Sequence, residues 1–350
     1  MSDTTANILE WVVKSALLSL ILLTGFAYTT LYERKLAARI QIRIGPNRAG
    51  PFGILQPIAD GIKLIFKEEV IPAQAYKAVF MLAPLLTMVP AIGVMAVVPW
   101  GESVTLFGRE IALGIADVNV GVLYILSVTS IAVYGIVLAG WSSNNKYAMM
   151  GGLRSTAQMI SYELALGLAF IGPIMLAESM SMMDIVHAQQ ETFWYIVYQP
   201  LGALIFYIAM LAEVNRPPFD MPEAEQELTA GYHVEYSGLK FALFFMGEYI
   251  KMAAVSAIFV TLFLGGFDGP WVDKEVLFSI FGYGVSGAWL GPVYFIIKIV
   301  LSLGLMIWIR ATFPRLRYDR LMAFGWKILL PLALFNVFLT AGLYFLEVIG

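Results

Sequence analysis

The stretch TFWYIVYQPLGALIFYIAMLA, residues 192–212, contains 21 consecutive residues without a charge and is followed at once by EVNRPPFDMPEAEQELTAGY, residues 213–232. About 20 apolar residues are enough for a helix to cross the hydrocarbon core of a bilayer. The second stretch carries five acidic residues against a single arginine, Arg216. This abrupt change predicts a membrane-spanning helix that leads directly into an acidic loop.

The composition of the whole chain agrees with a membrane protein. Hydrophobic residues make up 59% of the 350 residues and charged residues 13%, with a mean hydropathy of +0.77. A soluble domain has about 25% charged residues. The chain has no cysteine, which excludes disulfides, iron–sulfur ligation by cysteines of this chain and thiol catalysis. Its two histidines, His187 and His233, lie far apart in the sequence, so we expect no metal site.

Further apolar runs of about 20 residues predict an all-α, polytopic membrane helix bundle that forms one membrane domain over residues 1–350. The bundle would have about eight transmembrane helices, approximately at 11–32, 78–100, 118–140, 158–178, 194–213, 240–264, 290–310 and 327–347. The apolar segment 276–289 is interrupted by glycines, and we interpret it as an interfacial or re-entrant piece rather than a further span.

The distribution of Lys and Arg predicts the orientation of the bundle. Most of these residues fall in loops at approximately 33–77, 141–157, 214–239 and 311–326. Cytoplasmic loops of membrane proteins carry an excess of Lys and Arg, so these four loops are expected in the cytoplasm, or in the matrix of an organelle. Both termini would then face the periplasm of a bacterial inner membrane. No basic region precedes the first apolar run, which we therefore expect to be a retained helix rather than a cleaved signal peptide.

The first long loop contains a short amphipathic pattern after Pro57. On a helix, one face would carry the apolar residues Ile54, Ile58, Ile62, Ile65 and Phe66, while Asp60, Lys63 and Lys67 would lie elsewhere. This pattern predicts a short interfacial helix that lies in the plane of the membrane surface. Such a helix could be a simple anchor, or it could leave a lateral gap through which a lipid-soluble molecule enters.

Three carboxylates are expected at membrane depth, namely Glu163, Glu213 and Glu248. Lys251 lies one helical turn beyond Glu248, at a spacing that allows the two side chains to pair. Carboxylates inside a membrane are costly and are commonly functional. They are either structural ion pairs between helices or, where acids outnumber bases, stations of a proton path.

The acidic loop combines charge with apolar and proline residues. Its three prolines delay a new helix until about residue 222, after which Glu223 and Glu227 form a like-charge pair with Glu225 between them. Phe219 and Met221 are expected to anchor the loop in apolar surroundings. The arginines of RATFPRLRYDR, residues 310–320, could pair with this loop or could simply enforce the orientation of the chain.

Four stretches together resemble the cytoplasmic signatures of one protein family. They are ERKLAARIQIRIGPNRAGPFGILQPIADGIKL (33–64), RSTAQMISYELALGL (154–168), AEVNRPPFDMPEAEQELTAGYHVEYSG (212–238) and WIRATFPRLRYDRLM (308–322). The family is the quinone-site membrane subunit of the proton-pumping NADH:quinone oxidoreductase, respiratory complex I. The resemblance covers essentially the whole chain.

This resemblance implies a function in quinone reduction coupled to proton translocation. It implies a quinone chamber and its loops at Glu33, Arg34, Arg43, Asp60, Phe66, Arg216, Phe219, Glu223, Glu225, Glu227 and Arg310, and a proton path through Glu163, Glu213, Glu248 and Lys251. Quinone would be the substrate, and FMN and iron–sulfur clusters would lie on partner subunits, so this chain would hold no complete active site. Its partners would be the hydrophilic quinone-reducing arm, small membrane subunits, antiporter-like subunits and the lipid bilayer, with no nucleic acid.

Three other interpretations remain open at this level. A related subunit of a ferredoxin- or hydrogenase-linked proton-pumping complex would show similar motifs. A stand-alone secondary transporter would use the same intramembrane acids, although the sequence has none of the repeated halves common in such proteins. A passive membrane anchor for a soluble arm would not need the buried acids at all.

Overall fold

The structure is a computed structural model that describes residues 3–106, 109–221, 229–270, 272, 278–280, 283–285 and 287–346. Its helices are α1 (Asp3–Ile40), α2 (Gln56–Ile65), α3 (Lys77–Val94), α4 (Gly121–Ser142), α5 (Lys146–Ala177), α6 (Met182–Glu191), α7 (Tyr195–Tyr198), α8 (Pro200–Glu213), α9 (Gly238–Phe263), α10 (Leu290–Thr312), α11 (Tyr318–Phe324) and α12 (Leu330–Phe345). Two antiparallel hairpins pair β1 (Ser103–Leu106) with β2 (Arg109–Ala112), and β3 (Phe278–Ile280) with β4 (Tyr283–Val285).

Helices long and apolar enough to cross a membrane dominate the described residues, which confirms the predicted all-α bundle. There are seven of them, over Ile8–Ile40, Lys77–Val94, Gly121–Ser142, Lys146–Ala177, Gly238–Phe263, Leu290–Thr312 and Tyr318–Phe345. The last of these joins α11 and α12 through a π-helical turn, Gly325–Leu329.

The fifth predicted span is present in two pieces. The chain leaves the short α7 at Gln199, and α8 begins at Pro200, where the missing N–H of a proline costs nothing. The 14 residues of α8 are too few for a typical span, but most of them are buried among neighbouring helices. The apolar stretch 192–212 therefore forms a central, buried part of the bundle.

The boundaries of α5 differ from the prediction. The helix begins at Lys146 rather than near residue 158, because Asn145 caps it by accepting a hydrogen bond from the backbone N–H of Tyr147 at 2.9 Å. Glu163 therefore lies deep in a 32-residue helix and not one or two turns from its start. The predicted boundary was wrong because the polar first turns of α5 do not register as apolar sequence.

The segment 276–289 contains no spanning helix within its described residues. It contributes the hairpin of β3 and β4, with Ser279 opposite Gly284, followed by a 3₁₀ turn at Gly287–Trp289. The described residues therefore agree with the expectation that this segment is not a further span, and its interfacial or re-entrant position stays a prediction.

A proline inside α3 explains how the chain after the acidic loop is attached to the bundle. Pro84 cannot donate to the carbonyl of Phe80 four residues earlier. The hydroxyl of Tyr236 donates to that carbonyl at 3.2 Å, and its ring stacks on the Phe80 ring with 3.9 Å between centroids. Burial raises the pKa of Tyr236 to about 12, so the hydroxyl remains a donor at neutral pH.

Candidate functional site

One end of the bundle gathers buried and partly buried charges from four separate elements, and we call it the charged end. Its centre is Glu33, which is only 6% exposed near the end of α1. The hydroxyl of Tyr249 on α9 donates to one carboxylate oxygen of Glu33 at 2.5 Å, and the guanidinium of Arg310 on α10 donates to the other. Arg216 approaches the same carboxylate, with Nη1 3.5 Å from Oε1.

Arg216 connects this carboxylate to a second one. Its Nε lies 3.2 Å from Oε1 of Glu248, and its guanidinium lies 4.4 Å from the centre of the Tyr249 ring. The residue is 3% exposed. The two carboxylates and the aromatic face offset part of the cost of burying this guanidinium charge.

The end of α8 places Arg216 in this position. After Glu213 the chain turns back, with Asn215 in the left-handed region at φ 55°. The N–H of Asn215 donates to the carbonyl of Ala212, and that of Arg216 to the carbonyl of Leu211, both at 3.2 Å. These bonds satisfy the last carbonyls of the helix in the manner of a left-handed helix cap. The cap returns the chain towards the bundle instead of letting it run on.

Glu213 and Lys251 form a second buried pair. Nζ of Lys251 on α9 donates to Oε1 of Glu213 at 2.6 Å, and Glu213 is 1% exposed. Lys251 therefore pairs with Glu213 and not with Glu248, although the spacing would have allowed the latter pair. The spacing of two residues on one helix allows a contact, but Arg216 from the loop takes Glu248, and Lys251 reaches across to α8.

Glu163 has a hydroxyl as its partner in the described part of the chain. The side chain of Ser130 on α4 donates to Oε1 of Glu163. Glu163 and Glu213 are close enough for their charges to interact. Among the described residues, Glu213 and Glu248 thus each have a cation as partner, while Glu163 shows no salt bridge.

A cavity of about 420 Å³ opens beside Glu33. It lies between α1, α9 and α10 and is lined by Glu33, Arg34, Ala37, Gln41, Arg43, Phe245, Tyr249, Ile307, Arg310 and Ala311. The lining combines apolar side chains such as Phe245 and Ile307 with several charged groups and the Tyr249 hydroxyl, so the cavity offers both apolar contact and hydrogen bonds to a small organic molecule. Arg43 also lines a neighbouring cavity of about 550 Å³ formed by the loop after α1.

The amphipathic helix predicted after Pro57 is confirmed as α2. Asp60 accepts from Arg34 on α1 at 2.7 Å, which holds α2 against the bundle beside the cavity. The isoleucine face points away, with Ile58, Ile62 and Ile65 each more than half exposed. Because it is both apolar and exposed, that face suits the apolar part of a membrane surface.

The other predicted site residues are distributed as follows. Phe219 is buried, with its ring centre 5.4 Å from that of Tyr162, as expected for an anchor of the loop. Asp220, also buried, pairs with Arg315 at 2.8 Å, so the arginine-rich segment does contact the acidic loop. Phe66 is exposed at the end of α2 and lies outside the cluster. Glu223, Glu225 and Glu227 lie outside the described residues.

The chain that follows the acidic loop holds a largely buried histidine. His233 packs edge-to-face against Tyr232 and Phe241, with ring centres 4.9 Å and 5.5 Å apart. Burial lowers the pKa of His233 to about 4, so the ring is neutral at pH 7. Within the described part of the chain, no group of three His, Asp or Glu side chains is placed to hold a metal ion.

Three residues of the site were not predicted from the sequence. Tyr249 and Ser130 lie inside apolar helices, where an aromatic or a small hydroxyl residue is ordinary. Gln158 of α5 was quoted only as part of a motif, yet its side chain contacts the turn that bears Arg216. The sequence held one indication for these residues, which is that each places a polar group within a helix expected to cross a membrane.

These features define a class: a polytopic helical membrane protein with a pocket and a connected set of buried ion pairs at one end of the bundle. Comparison with known proteins identifies the family. Residues 13–341 match the family described as NADH dehydrogenase. The chain belongs to this family, which confirms the resemblance noted in the sequence.

Three relatives, all H-type subunits of NADH-quinone oxidoreductase, illustrate how far the similarity extends. The chain is 49% identical over 342 residues to the H-type subunit numbered 2 of Syntrophobacter fumaroxidans, covering 98% of each chain. It is 51% identical over 327 residues to the H-type subunit numbered 2 of Geobacter sulfurreducens, covering 93% of this chain and 94% of the relative. It is 49% identical over 342 residues to the H-type subunit of Thermomicrobium roseum, covering 95% of each.

Proposed function

We propose that this chain is the quinone-site membrane subunit of a proton-pumping NADH:quinone oxidoreductase, respiratory complex I, and that the cavity beside Glu33 is part of the quinone chamber. The observation that carries the proposal is the cavity itself, which combines an apolar wall with Arg34, Tyr249 and Arg310. Donors of this kind can hydrogen-bond a quinone carbonyl and stabilise negative charge that develops on it. The near full-length similarity to NADH-quinone oxidoreductase subunits supplies the reaction class.

The position of α2 supports access from the membrane. A quinone with an apolar tail is dissolved in the bilayer, so its route to the chamber should pass a surface that is itself apolar. The exposed isoleucines of α2 form such a surface next to α1 and α9. The ion pair of Arg34 with Asp60 fixes one side of this passage.

The chain of ion pairs supports a proton path that begins at the chamber. Glu33 lines the cavity and is linked through Arg216 to Glu248, and Glu213 at the end of α8 pairs with Lys251 further along α9. Glu163 with Ser130 follows, within electrostatic reach of Glu213. Reduction of a quinone creates negative charge that must be met by protons or by positive side chains. A change in the charge or pairing of Glu33 would therefore alter the protonation of the acids that follow it, from Glu248 to Glu163.

Partner subunits complete the enzyme. Electrons would arrive from NADH through FMN and iron–sulfur clusters on the hydrophilic arm, which docks at the charged end, and this chain, without cysteine, carries no cysteine-ligated cluster. The charged end would face the cytoplasm of a bacterial inner membrane, with both termini in the periplasm. Small membrane subunits and antiporter-like subunits would lie laterally. Copurification with an NADH-binding subunit would separate this enzyme from a ferredoxin- or hydrogenase-linked relative.

Photochemical labelling tests the assignment of the chamber. A quinone that carries a photoreactive group near its headgroup is bound to the assembled complex, and labelled peptides are identified by mass spectrometry. We expect labels in residues 33–43 of α1 and the following loop, or in residues 245–249 of α9, and we expect excess quinone to suppress them. Labels confined to the far end of the bundle, or insensitive to competition, would contradict the assignment.

Proton pumping by a Glu213→Gln variant tests the path. Glutamine keeps the shape and a hydrogen bond to Lys251 but cannot release a proton. We expect a lower ratio of protons translocated to electrons transferred in reconstituted vesicles. Glu191→Gln is the matched control, since Glu191 is an exposed carboxylate at the end of α6. A Glu213→Gln complex that keeps both quinone reduction and pumping would remove Glu213 from the path.

A further inference from the structure

A single buried amide connects the two helices that carry the deep acids. Gln158 on α5 is completely buried. Its Nε2 lies 2.6 Å from the carbonyl oxygen of Phe219, 2.8 Å from that of Ala212 and 3.2 Å from Oδ1 of Asn215. All three acceptors belong to the end of α8 or to the turn that follows it, so the amide fastens this turn to α5.

The orientation of the amide follows from its surroundings. If nitrogen and oxygen were exchanged, Oε1 would face three oxygen atoms and no donor, so Nε2 must point at the turn. An amide nitrogen has two hydrogens, whereas three acceptors lie within reach. At any time one of the three acceptors therefore lacks a full hydrogen bond from this amide. Such a contact can pass from one acceptor to another without a large cost, because the number of hydrogen bonds stays the same.

The turn that Gln158 holds is the turn that carries Arg216. Ala212 and Asn215 flank Glu213, and Phe219 follows Arg216 by three residues. A shift of this turn by about an ångström would change the distances from Arg216 to Glu33 and Glu248, now 3.5 Å and 3.2 Å. On α5, Glu163 follows Gln158 by five residues. The same helix therefore carries both the amide that holds the turn and the acid that comes after Glu213 in the proposed proton path.

We propose that Gln158 is a positioning residue for quinone-coupled proton transfer. It holds the turn of residues 213–219 so that Arg216 reaches both carboxylates while Glu213 faces Lys251, and it exchanges between the side chain of Asn215 and the carbonyl of Phe219 when the turn shifts. The inference rests on the proposed function, since it assigns Gln158 a place in that reaction.

Two substitutions separate positioning from mere packing. Gln158→Met keeps the length of the side chain and removes the donor. In the assembled complex we expect quinone reduction to fall about tenfold in kcat, as for the loss of one to two hydrogen bonds, with NADH oxidation by a soluble artificial acceptor unchanged. Gln158→Glu places a carboxyl group against three oxygens. Only its protonated form can donate to the turn, so its activity relative to the native complex should rise as the pH falls.

Gln189 offers a matched control. This buried glutamine on α6 donates to the carbonyl of Thr261 at 2.9 Å and accepts from the N–H of Gly265 at 3.0 Å, at the other end of the bundle. Gln189→Met should lower thermal stability but leave kcat for quinone and its pH profile unchanged.

Several results would overturn the inference. They are an unchanged kcat in Gln158→Met, an equal loss of kcat in Gln189→Met, or a pH profile of Gln158→Glu that follows the native one. Failure of both Gln158 variants to assemble, where Gln189→Met assembles, would likewise show a role in the fold rather than in positioning. Failure of the proposed function would be distinguishable, because then the native complex itself would not reduce quinone.

Discussion

The two ends of the bundle each hold a cation away from full exposure, but they hold it in different ways: Arg216 is buried and Lys298 is partly buried. At the end opposite the charged end, Lys298 of α10 donates to the carbonyls of Leu264, Gly266 and Asp268 at 2.6, 3.1 and 2.8 Å. Its ammonium also lies 4.4 Å from the centre of the Trp194 ring. Three N–H donors meet three fixed backbone acceptors, so one arrangement satisfies the group.

At the charged end, donors and acceptors are not matched one to one in this way. Glu33 alone receives donors from α9, α10 and the loop after α8, and Arg216 is shared between two carboxylates. Side chains on separate elements can exchange partners when one element moves, whereas backbone carbonyls cannot leave a lysine without unfolding the turn. A charge held away from water can therefore either fix a structure or leave it able to respond to a change. We infer that Lys298 fixes α9 and α10, and that the network around Glu33 responds to quinone.

Replacing Arg216 with methionine should have the largest effect. The change leaves Glu33 and Glu248 without their shared cation, and breaking a buried ion pair from one side costs about 3–5 kcal/mol. We expect quinone reduction per assembled complex to fall at least about 100-fold. Arg317→Met is the control, since Arg317 is 80% exposed and its pair with Asp319 should contribute about 0–1 kcal/mol. If Arg216→Met kept the native kinetics of quinone reduction, the charged end would have no special part in the reaction.

Replacing Lys298 with methionine should destabilise without altering the reaction. Three carbonyls lose a charged donor, and we expect a cost of about 3 kcal/mol in the free energy of unfolding. The midpoint of thermal inactivation should fall, while kcat and KM for quinone of the assembled complex stay native. If kcat for quinone fell instead, the end that holds Lys298 would also take part in the response to quinone, against the inference.

The pH dependence of the segment 229–237 should give a smaller effect. The pKa of His233 is lowered from 6.5 to about 4 in the native structure. Between these values the unfolded segment binds more protons than the native one, so stability is present above pH 6.5 and decreases as the pH falls towards 4. Local stability should drop by about 2 kcal/mol from pH 7 to pH 5. This change in local stability can be measured by amide hydrogen exchange of the segment, corrected for the intrinsic exchange rate at each pH.

His233→Phe provides the comparison for that measurement. A phenylalanine can occupy the site between Tyr232 and Phe241 but does not titrate, so protection in the variant should be independent of pH over this range. An equal loss of protection at pH 5 in the variant would assign the acid sensitivity to other groups.

The sequence predicted the architecture because hydropathy over about 20 residues is a property of single segments. The spans, the interfacial helix α2 and the acidic turn between two helices all follow from local patterns. The pairings could not be predicted in the same way. Lys251 is compatible with Glu248 along its helix, and only the folded chain shows that Arg216 competes for that partner. Likewise, nothing local distinguishes Tyr249 from the other aromatic residues of the spans.

Structures of the assembled complex with and without a bound quinone-site inhibitor would show whether the network around Glu33 responds to quinone. We predict that the partners of Glu33 change between the two states, with at least one of Arg216, Arg310 and Tyr249 moving out of hydrogen-bond distance. The three carbonyl contacts of Lys298 should be the same in both. An unchanged set of contacts around Glu33, with the inhibitor bound in the cavity beside it, would show that this network does not respond to quinone.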